Sequence, residues 1–292
     1  MTLAPRIGII GMGRLGSCLA RALHAAGSAP SALASVRSTR ATALCTELGA
    51  QLRAVQVTEV GRHAELIFLA VPDARIAEVC AQLPLSAAHS LVHLSGALDL
   101  SVLDAARARG ASTAVLHPLQ SFPPDAGAER FAGIHAGIEA SDPKLAEQLE
   151  RLTRALGASP FSLHGVDRAA YHAAAVIASN YVVALHAAAA RAWVLAGLPV
   201  DTARTALAPL TAGAASAIAQ HELATALTGP IARGDSATVL RHLAALSGDL
   251  PLGALYRALA RELLALPLTL PPEARAALTT LCAEPEADTP VV

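Results

Sequence analysis

The chain has 292 residues, of which 53% are hydrophobic and only 3% aromatic, and its formal net charge is −1 at pH 7. This length is enough for one large domain or two medium ones, and the nearly neutral charge argues against a nucleic-acid partner. The sequence contains neither a CxxC pair nor an HExxH motif, so we expect no disulfide framework and no metal site, and a reducing cytoplasm as the compartment.

The first half of the chain alternates strand-like and helix-like segments. The predicted strands are Ile7–Ile10, Ala32–Val36, Leu66–Val71, Leu91–Leu94, Thr113–Leu116, Gly133–Glu139 and Ala158–Ser162. The predicted helices between them are Arg14–Ala26, Thr39–Leu48, Asp73–Leu83, Leu100–Arg109 and Pro143–Leu156. This alternation predicts an α/β domain over residues 1–164 that is built on a doubly wound parallel sheet.

Strand signals vanish after about residue 165. The predicted helices there are Asp167–Leu195, Val200–His221, Ser236–Leu246, Leu252–Leu264 and Pro272–Leu281. They predict an all-α domain at 165–282, followed by a flexible tail at 283–292. The apolar stretch Ala173–Leu198 contains Ser179, Asn180, His186 and Arg191, which are costly in lipid. We therefore expect an interface helix of a homodimer and no membrane span.

A glycine-rich segment, IGIIGMGRLG, joins the first predicted strand to the first predicted helix. Its G-x-G-x-x-G core consists of Gly11, Met12, Gly13, Arg14, Leu15 and Gly16. Gly11 permits a tight turn, Gly13 lets the backbone approach a pyrophosphate, and Gly16 lets the helix pack on the sheet. Because the free N–H groups of a helix N-terminus bind phosphates, the segment predicts dinucleotide binding. The alternative is that the glycines merely allow close packing.

The second predicted strand leads into SVRSTR, residues 35–40. An NAD enzyme would place an acidic residue about here to bind the ribose 2′-hydroxyl. This chain instead has Arg37, Ser38, Thr39 and Arg40. Two guanidinium groups and two hydroxyls suit a 2′-phosphate, so we predict NADP as the cofactor. The alternative is a solvated surface pair of charges.

The third of these predicted strands leads into the segment Val71, Pro72 and Asp73. The proline ends the strand at the carboxyl edge of the sheet, where ligands of doubly wound folds bind. We expect this backbone to lie beside the ribose and nicotinamide of the cofactor.

Two further strands end in polar segments, HLSGALD and LHPLQSF. They should bring Ser95 and His117 to the same edge, near the nicotinamide. A histidine can transfer a proton as hydride moves, and a serine hydroxyl can orient a substrate oxygen or nitrogen. Alternatively, His117 holds the turn before Pro118, and Ser95 caps the next helix or binds the cofactor.

Two polar residues of the apolar segment YHAAAVIASNY are further candidates for the site. His172 either faces the cleft or is a core histidine bonded to a neighbouring helix. Asn180 either binds substrate or caps a local kink.

The motifs IGIIGMGRLG, FLAVPD, HLSGALD, HPLQSF, YHAAAVIASNY and LTGPIARGD together resemble a bacterial oxidoreductase family. That family joins a Rossmann-like NAD(P) domain to a helical domain of unknown function. It is related to the prephenate dehydrogenases, pyrroline-5-carboxylate reductases, ketopantoate reductases and 3-hydroxyacid dehydrogenases. HPLQSF is similar to a prephenate dehydrogenase segment whose histidine contacts the reacting substrate hydroxyl, which implies that role for His117. The resemblance also implies dimerisation through the helical domains, with LTGPIARGD as a loop that closes the partner's site.

These observations favour an NADP-dependent oxidoreductase that acts on a small molecule containing C=O or C=N, with catalytic candidates His117, Ser95, His172 and Asn180. Two alternatives remain open. One is a non-catalytic NADP-binding sensor or scaffold, and the other is a deazaflavin-dependent reductase. The sequence does not identify the substrate.

Overall fold

The computed structural model describes residues 5–49 and 51–284, and the chain divides into two compact units. The first unit runs to Ile177 and the second begins at Ala178. The predicted domain boundary near residue 165 precedes a helix that belongs almost entirely to the first unit. From residue 285 onward, the predicted flexible tail lies outside the described residues.

The first unit is built on a single sheet of eight strands. The strands are β1 (Ile7–Ile10), β2 (Ala32–Ala34), β3 (Arg53–Ala54), β4 (Leu66–Leu69), β5 (Ser90–His93), β6 (Ser112–Pro118), β7 (His135–Ala140) and β8 (Ser159–Ser162). Their order in the sheet is β3-β2-β1-β4-β5-β6-β7-β8. The first six strands thus follow the Rossmann order, which confirms the predicted doubly wound fold.

One strand pairing differs from the all-parallel prediction, because β7 runs antiparallel to β6. A parallel neighbour requires a long crossover connection, usually an α-helix that packs on one face of the sheet. The segment between β6 and β7 has only the short 3₁₀ helix Ala128–Phe131. β7 therefore begins at the edge of the sheet where β6 ends and runs back beside it. The last strand, β8, is again parallel to β7.

Helices cover both faces of this sheet and complete two hydrophobic cores. They are α1 (Arg14–Ala25), α2 (Ser38–Leu48), α3 (Val60–His63), α4 (Asp73–Gln82), α5 (Asp104–Arg107) and α6 (Pro143–Ala155). A further helix, α7 (Arg168–Ala178), follows β8. Two further 3₁₀ helices are Val57–Glu59 and Leu100–Leu103. The predicted helix Leu100–Arg109 is therefore a 3₁₀ turn that continues into α5, and the Asp99 carboxylate caps its start.

The second unit consists of helices α8 (Asn180–Leu195), α9 (Val200–Gln220), α10 (Leu223–Ala226), α11 (Pro230–Arg233), α12 (Ser236–Ala245), α13 (Leu250–Leu264) and α14 (Pro272–Cys282). Its core includes Ile231, Val239, Leu243, Leu264 and Leu278. Ile231 belongs to the predicted loop LTGPIARGD, which is thus folded onto its own unit by α11.

The predicted helix Asp167–Leu195 is divided in the structure, because α7 ends at Ala178 and α8 begins at Asn180. In the described part of the chain, one stretch, Arg168–Leu195, is long and apolar enough to cross a membrane by length and composition alone, with a mean hydropathy of 1.6. A membrane-spanning helix needs about 20 residues, and each half of this stretch is shorter. A single such stretch is weak evidence for a membrane span.

Candidate active site

The glycine-rich turn after β1 shows why two of its glycines are required. Gly11 has a φ of +104°, and a Cβ there would lie 2.4 Å from the carbonyl oxygen of Ala70 at the end of β4. A Cβ at Gly16 would lie 1.9 Å from the carbonyl oxygen of Gly11, so helix α1 packs directly on the turn. Gly13 instead faces open space. This combination of a tight turn, close helix packing and an accessible backbone is what a dinucleotide pyrophosphate requires.

A pocket of about 450 Å³ lies beside this turn. Its walls include Arg14 at the start of α1 and Arg40 in the first turn of α2. Arg21 also lines the pocket, but its guanidinium already binds the Glu47 carboxylate through two hydrogen bonds of 2.6 and 2.8 Å. The pocket thus offers cations for a phosphate at Arg14 and Arg40. Arg37 directly precedes α2, is exposed, and is not among the lining residues.

Ser95, just past β5, is occupied by a local network of hydrogen bonds. Its hydroxyl donates to Oδ2 of Asp73 at 2.6 Å and accepts from the backbone N–H groups of Ala97 and Leu98 at 3.2 and 3.3 Å. Asp73 begins α4 immediately after Pro72. Ser95 therefore joins the carboxyl ends of β4 and β5 and caps the turn that follows β5.

His93 lies beneath that turn and is completely buried. Its Nδ1 accepts the backbone N–H of Ser95, so the ring proton is on Nε2, which donates to the carbonyl oxygen of Asp99. Burial lowers the pKa of His93 to about 4, and the ring is therefore neutral at pH 7. A neutral buried ring with both nitrogens bonded to backbone supports the turn rather than reacting.

His117 is placed differently, on β6 directly before its last residue, Pro118. Its Nδ1 lies 2.6 Å from the hydroxyl oxygen of Tyr171 on α7, and the two rings meet edge to face. Its Nε2 has no hydrogen-bond partner among the described residues and is not enclosed. Burial, with a further contribution from neighbouring His172, lowers the pKa of His117 to about 4. The result is a neutral imidazole with one nitrogen on a phenol and the other free to bind a ligand.

Two family matches cover most of the chain. Residues 6–95 match the family described as NADP oxidoreductase, coenzyme F420-dependent, and residues 134–263 match a domain of unknown function, DUF2520. The chain is thus similar to the NADP oxidoreductases in its first domain. These matches confirm the predicted combination of a nucleotide-binding domain with a helical domain of unknown function, and they support an enzyme over a non-catalytic sensor. A search of curated proteins found no match.

Solved structures of NADP oxidoreductases resemble nearly the whole chain. A Bacteroides fragilis protein that is proposed to be an NADP oxidoreductase is 26% identical, with a TM-score of 0.72 over 89% of this chain and 97% of its own. Pyrroline-5-carboxylate reductase from Streptococcus pyogenes is 16% identical, with a TM-score of 0.60 over 89% and 98%. A reductive aminase from Aspergillus terreus, in complex with NADPH and ethyl levulinate, is 18% identical, with a TM-score of 0.62 over 89% and 94%. The last two likenesses show a shared fold.

The remaining predicted site residues of this oxidoreductase fall in both units. His172 lies on α7 with its ring centroid 6.3 Å from that of His117, and its buried Nδ1 has no hydrogen-bond partner within the described residues. Asn180 begins α8 in the second unit, where its side-chain oxygen accepts a hydrogen bond from Ser179. The catalytic roles of His172 and Asn180 stay predictions.

Tyr171 is the site residue that the sequence analysis missed. A tyrosine next to His172 was visible in YHAAAVIASNY, but nothing in the sequence indicates that α7 returns to β6, 54 residues earlier in the chain. Burial raises the pKa of Tyr171, so its hydroxyl is protonated near neutral pH. The pair therefore holds a phenolic proton within hydrogen-bond distance of the histidine.

Proposed function

We propose that the protein reduces a C=O or C=N group of a small molecule with NADPH, and that His117 supplies the proton. The observation that carries this proposal is the pair of His117 and Tyr171 at the carboxyl end of β6. In a doubly wound sheet, ligands bind in the crevice at this edge. A general acid needs a proton within hydrogen-bond reach of the reacting atom. The unpaired Nε2 of His117 is available to carry that proton.

The residues at the other end of the cleft fit a phosphorylated dinucleotide. The backbone around Gly13 and the N-terminus of α1 would hold the pyrophosphate, and Arg14 and Arg40 would bind a 2′-phosphate. This fit, and the NADPH complex of the structurally similar reductive aminase, favour NADPH over coenzyme F420. When bound, NADPH would supply the hydride.

The proton transfer follows from the His117–Tyr171 hydrogen bond. The carbon of the C=X bond gains a hydride, and its heteroatom X takes the proton from Nε2 of His117. At the same time Nδ1 accepts the proton of the Tyr171 hydroxyl. Solvent then supplies a proton to Nε2, and Nδ1 returns its proton to the phenolate, which restores the starting state. The net change is uptake of one hydride and one proton by the substrate. The His117 ring is neutral before and after this proton transfer.

A panel assay with wild type and variants tests this proposal. The panel contains 2-oxoacids, simple ketones, cyclic imines and mixtures of ketones with amines, and NADPH consumption is followed. For any substrate that is turned over, His117→Ala should reduce the rate by about 10²–10⁴-fold, the usual effect of losing a general acid. Tyr171→Phe should cause a smaller loss, and the affinity for NADPH should stay unchanged in both. His164→Ala, at an exposed histidine of the same unit, is the control. Wild-type turnover by His117→Ala would reject the assignment.

We also infer that the protein works in the cytoplasm as a homodimer. All four cysteines are free thiols, and Cys18, Cys80 and Cys282 are buried. Free buried thiols are typical of a reducing compartment.

A further inference from the structure

A buried ion pair joins the sheet to the helix that carries Tyr171. Arg168, the first residue of α7, donates through Nη2 to Oε2 of Glu139 on β7. The side chains of Arg168 and Glu139 are only 8% and 20% exposed. The Nη1 atom of Arg168 is also buried and has no hydrogen-bond partner in the described part of the chain.

Stability alone does not explain this pair. Removing two charges from water costs more free energy than their attraction usually returns, and the unsatisfied Nη1 adds to that cost. The other ion pairs of the first unit are more exposed, as in the pair Arg75–Glu78 on α4. A buried pair in this position therefore calls for a role connected with its neighbours.

The position of the pair relates it to the proton-transfer site. Arg168 precedes Tyr171 by three residues, so the two side chains lie on the same face of α7. Glu139 pairs across the sheet with Val115, two residues before His117 on β6. The ion pair thus ties the first turn of α7 to the strands at the place where Tyr171 must meet His117.

Arg168 also contributes a permanent positive charge to the surroundings of His117. The titratable and charged groups around that ring come from two helices and a strand: Arg168, Tyr171 and His172 from α7, Asp73 from α4 and His93 from β5. Arg168, His172 and His93 disfavour a positive ring, whereas Asp73 favours it. Arg168 is the guanidinium in this set, and it stays charged at every relevant pH.

We propose, on the basis of the proposed function, that the Arg168–Glu139 pair is a positioning device that holds Tyr171 on Nδ1 of His117. The uncharged ring is essential for the proton relay, because only a neutral imidazole can accept from Tyr171 at one nitrogen and donate to substrate from the other. A proton on both nitrogens would reverse the hydrogen bond, so that Nδ1 donates to the Tyr171 oxygen and can no longer take its proton. Arg168 is therefore a positioning residue and does not contact substrate.

Removal of either partner should free the first turn of α7 and release Tyr171 from Nδ1. A hydrogen bond donated to Nδ1 favours the neutral ring, so its loss should raise the pKa of His117 in both variants. A purely electrostatic role predicts something else, namely shifts of opposite sign, because the charges of Arg168 and Glu139 are opposite.

The test is an NMR titration of the histidine rings in the full-length protein without cofactor or substrate. The His117 signal is assigned by its loss in His117→Gln. Arg168→Gln and Glu139→Gln should each raise the midpoint by about one pH unit. Tyr171→Phe should raise it as well, and Glu139→Gln should cause no further rise in that background, because the donated hydrogen bond is already lost. Arg75→Gln and Glu78→Gln are the matched controls on an exposed pair and should leave the midpoint unchanged.

Shifts of opposite sign in the two single variants, or no shift in either, would overturn the proposal. If Arg168→Gln does not fold, Arg168→Lys keeps the charge and should titrate like wild type, and Glu139→Gln still tests the sign. Because the titration involves no turnover, its result is independent of whether His117→Ala proves to be active.

Discussion

At the carboxyl end of β5, Gly96 leaves a gap into which the ring of His117 fits. A Cβ at this position would lie 2.6 Å from Cε1 and 2.8 Å from Nε2 of His117, closer than atoms can approach. We expect Gly96→Ala to displace the ring and to reduce turnover by about 10–100-fold, since a shift of 1 Å at a reacting group has costs on this scale. The affinity for NADPH should change little. The control is Gly248→Ala, where a Cβ meets open space. Equal losses in both variants would contradict the prediction.

A second prediction at the residue scale separates the two arginines of SVRSTR. The sequence predicts that NADPH binds at least about tenfold more tightly than NADH, or by about 1.4 kcal/mol. Because Arg40 lines the pocket beside α1 and Arg37 does not, Arg40→Ala should remove most of this preference and Arg37→Ala little of it. The double variant should show none. Fluorescence titration measures all four proteins, and equal affinities of wild type for the two nucleotides would reject the NADP assignment.

At the scale of single elements, the turn after β5 depends on a neutral histidine. The folded pKa of His93 is about 4, below the ordinary value of 6.5, so between these values the unfolded chain binds the extra proton. Stability is therefore complete above pH 6.5 and falls as the pH drops toward 4. At about 1.4 kcal/mol per pKa unit, the loss from His93 is up to about 3 kcal/mol. His117 adds a loss of the same sign.

Denaturant unfolding at a series of pH values measures this effect. His93→Gln should flatten the dependence of the unfolding free energy on pH between 6.5 and 4, whatever its effect on stability at pH 7. His24→Gln removes an exposed histidine and should keep the wild-type slope. A wild-type slope in His93→Gln would show that another group causes the acid sensitivity.

At the scale of the whole molecule, the first two helices of the second unit leave large apolar side chains exposed. Val183 on α8 and Leu210 on α9 are 72% and 70% exposed, and Tyr181, Val194 and Ile218 are also uncovered. We expect a second copy of the chain to cover them in a two-fold dimer that buries more than about 2,000 Å², as obligate dimers do. Light scattering should show a dimer at micromolar concentration. Val183→Lys with Leu210→Lys should weaken the dimer, and Val36→Lys, at an exposed residue of the first unit, should not. A wild-type monomer would contradict this prediction.

Local sequence signals were sufficient for the fold of the nucleotide-binding half. Apolar runs such as LIFLAV are buried strands, and each glycine of GMGRLG has the place that its spacing predicted, because strand burial and tight turns depend on neighbouring residues. The segment after β6 was harder to interpret. The direction of β7 depends on the edge of the sheet at which the connection from β6 ends. The hydrophobic pattern of the β7 residues is the same for a parallel and an antiparallel strand, so the sequence does not reveal that edge.

In the candidate site, too, some features follow from neighbouring residues in the sequence and others from contacts between distant residues. The sequence by itself determined that His117 and Ser95 stand at strand ends, because those positions follow from the order of residues along each strand. Only the tertiary structure decided which of them is free to react. The Ser95 hydroxyl is occupied by Asp73 and two backbone N–H groups, whereas His117 meets Tyr171 and keeps Nε2 unpaired. Those partners lie 22 and 54 residues away along the chain, and contacts over such separations arise from the packing of whole elements rather than from any local pattern.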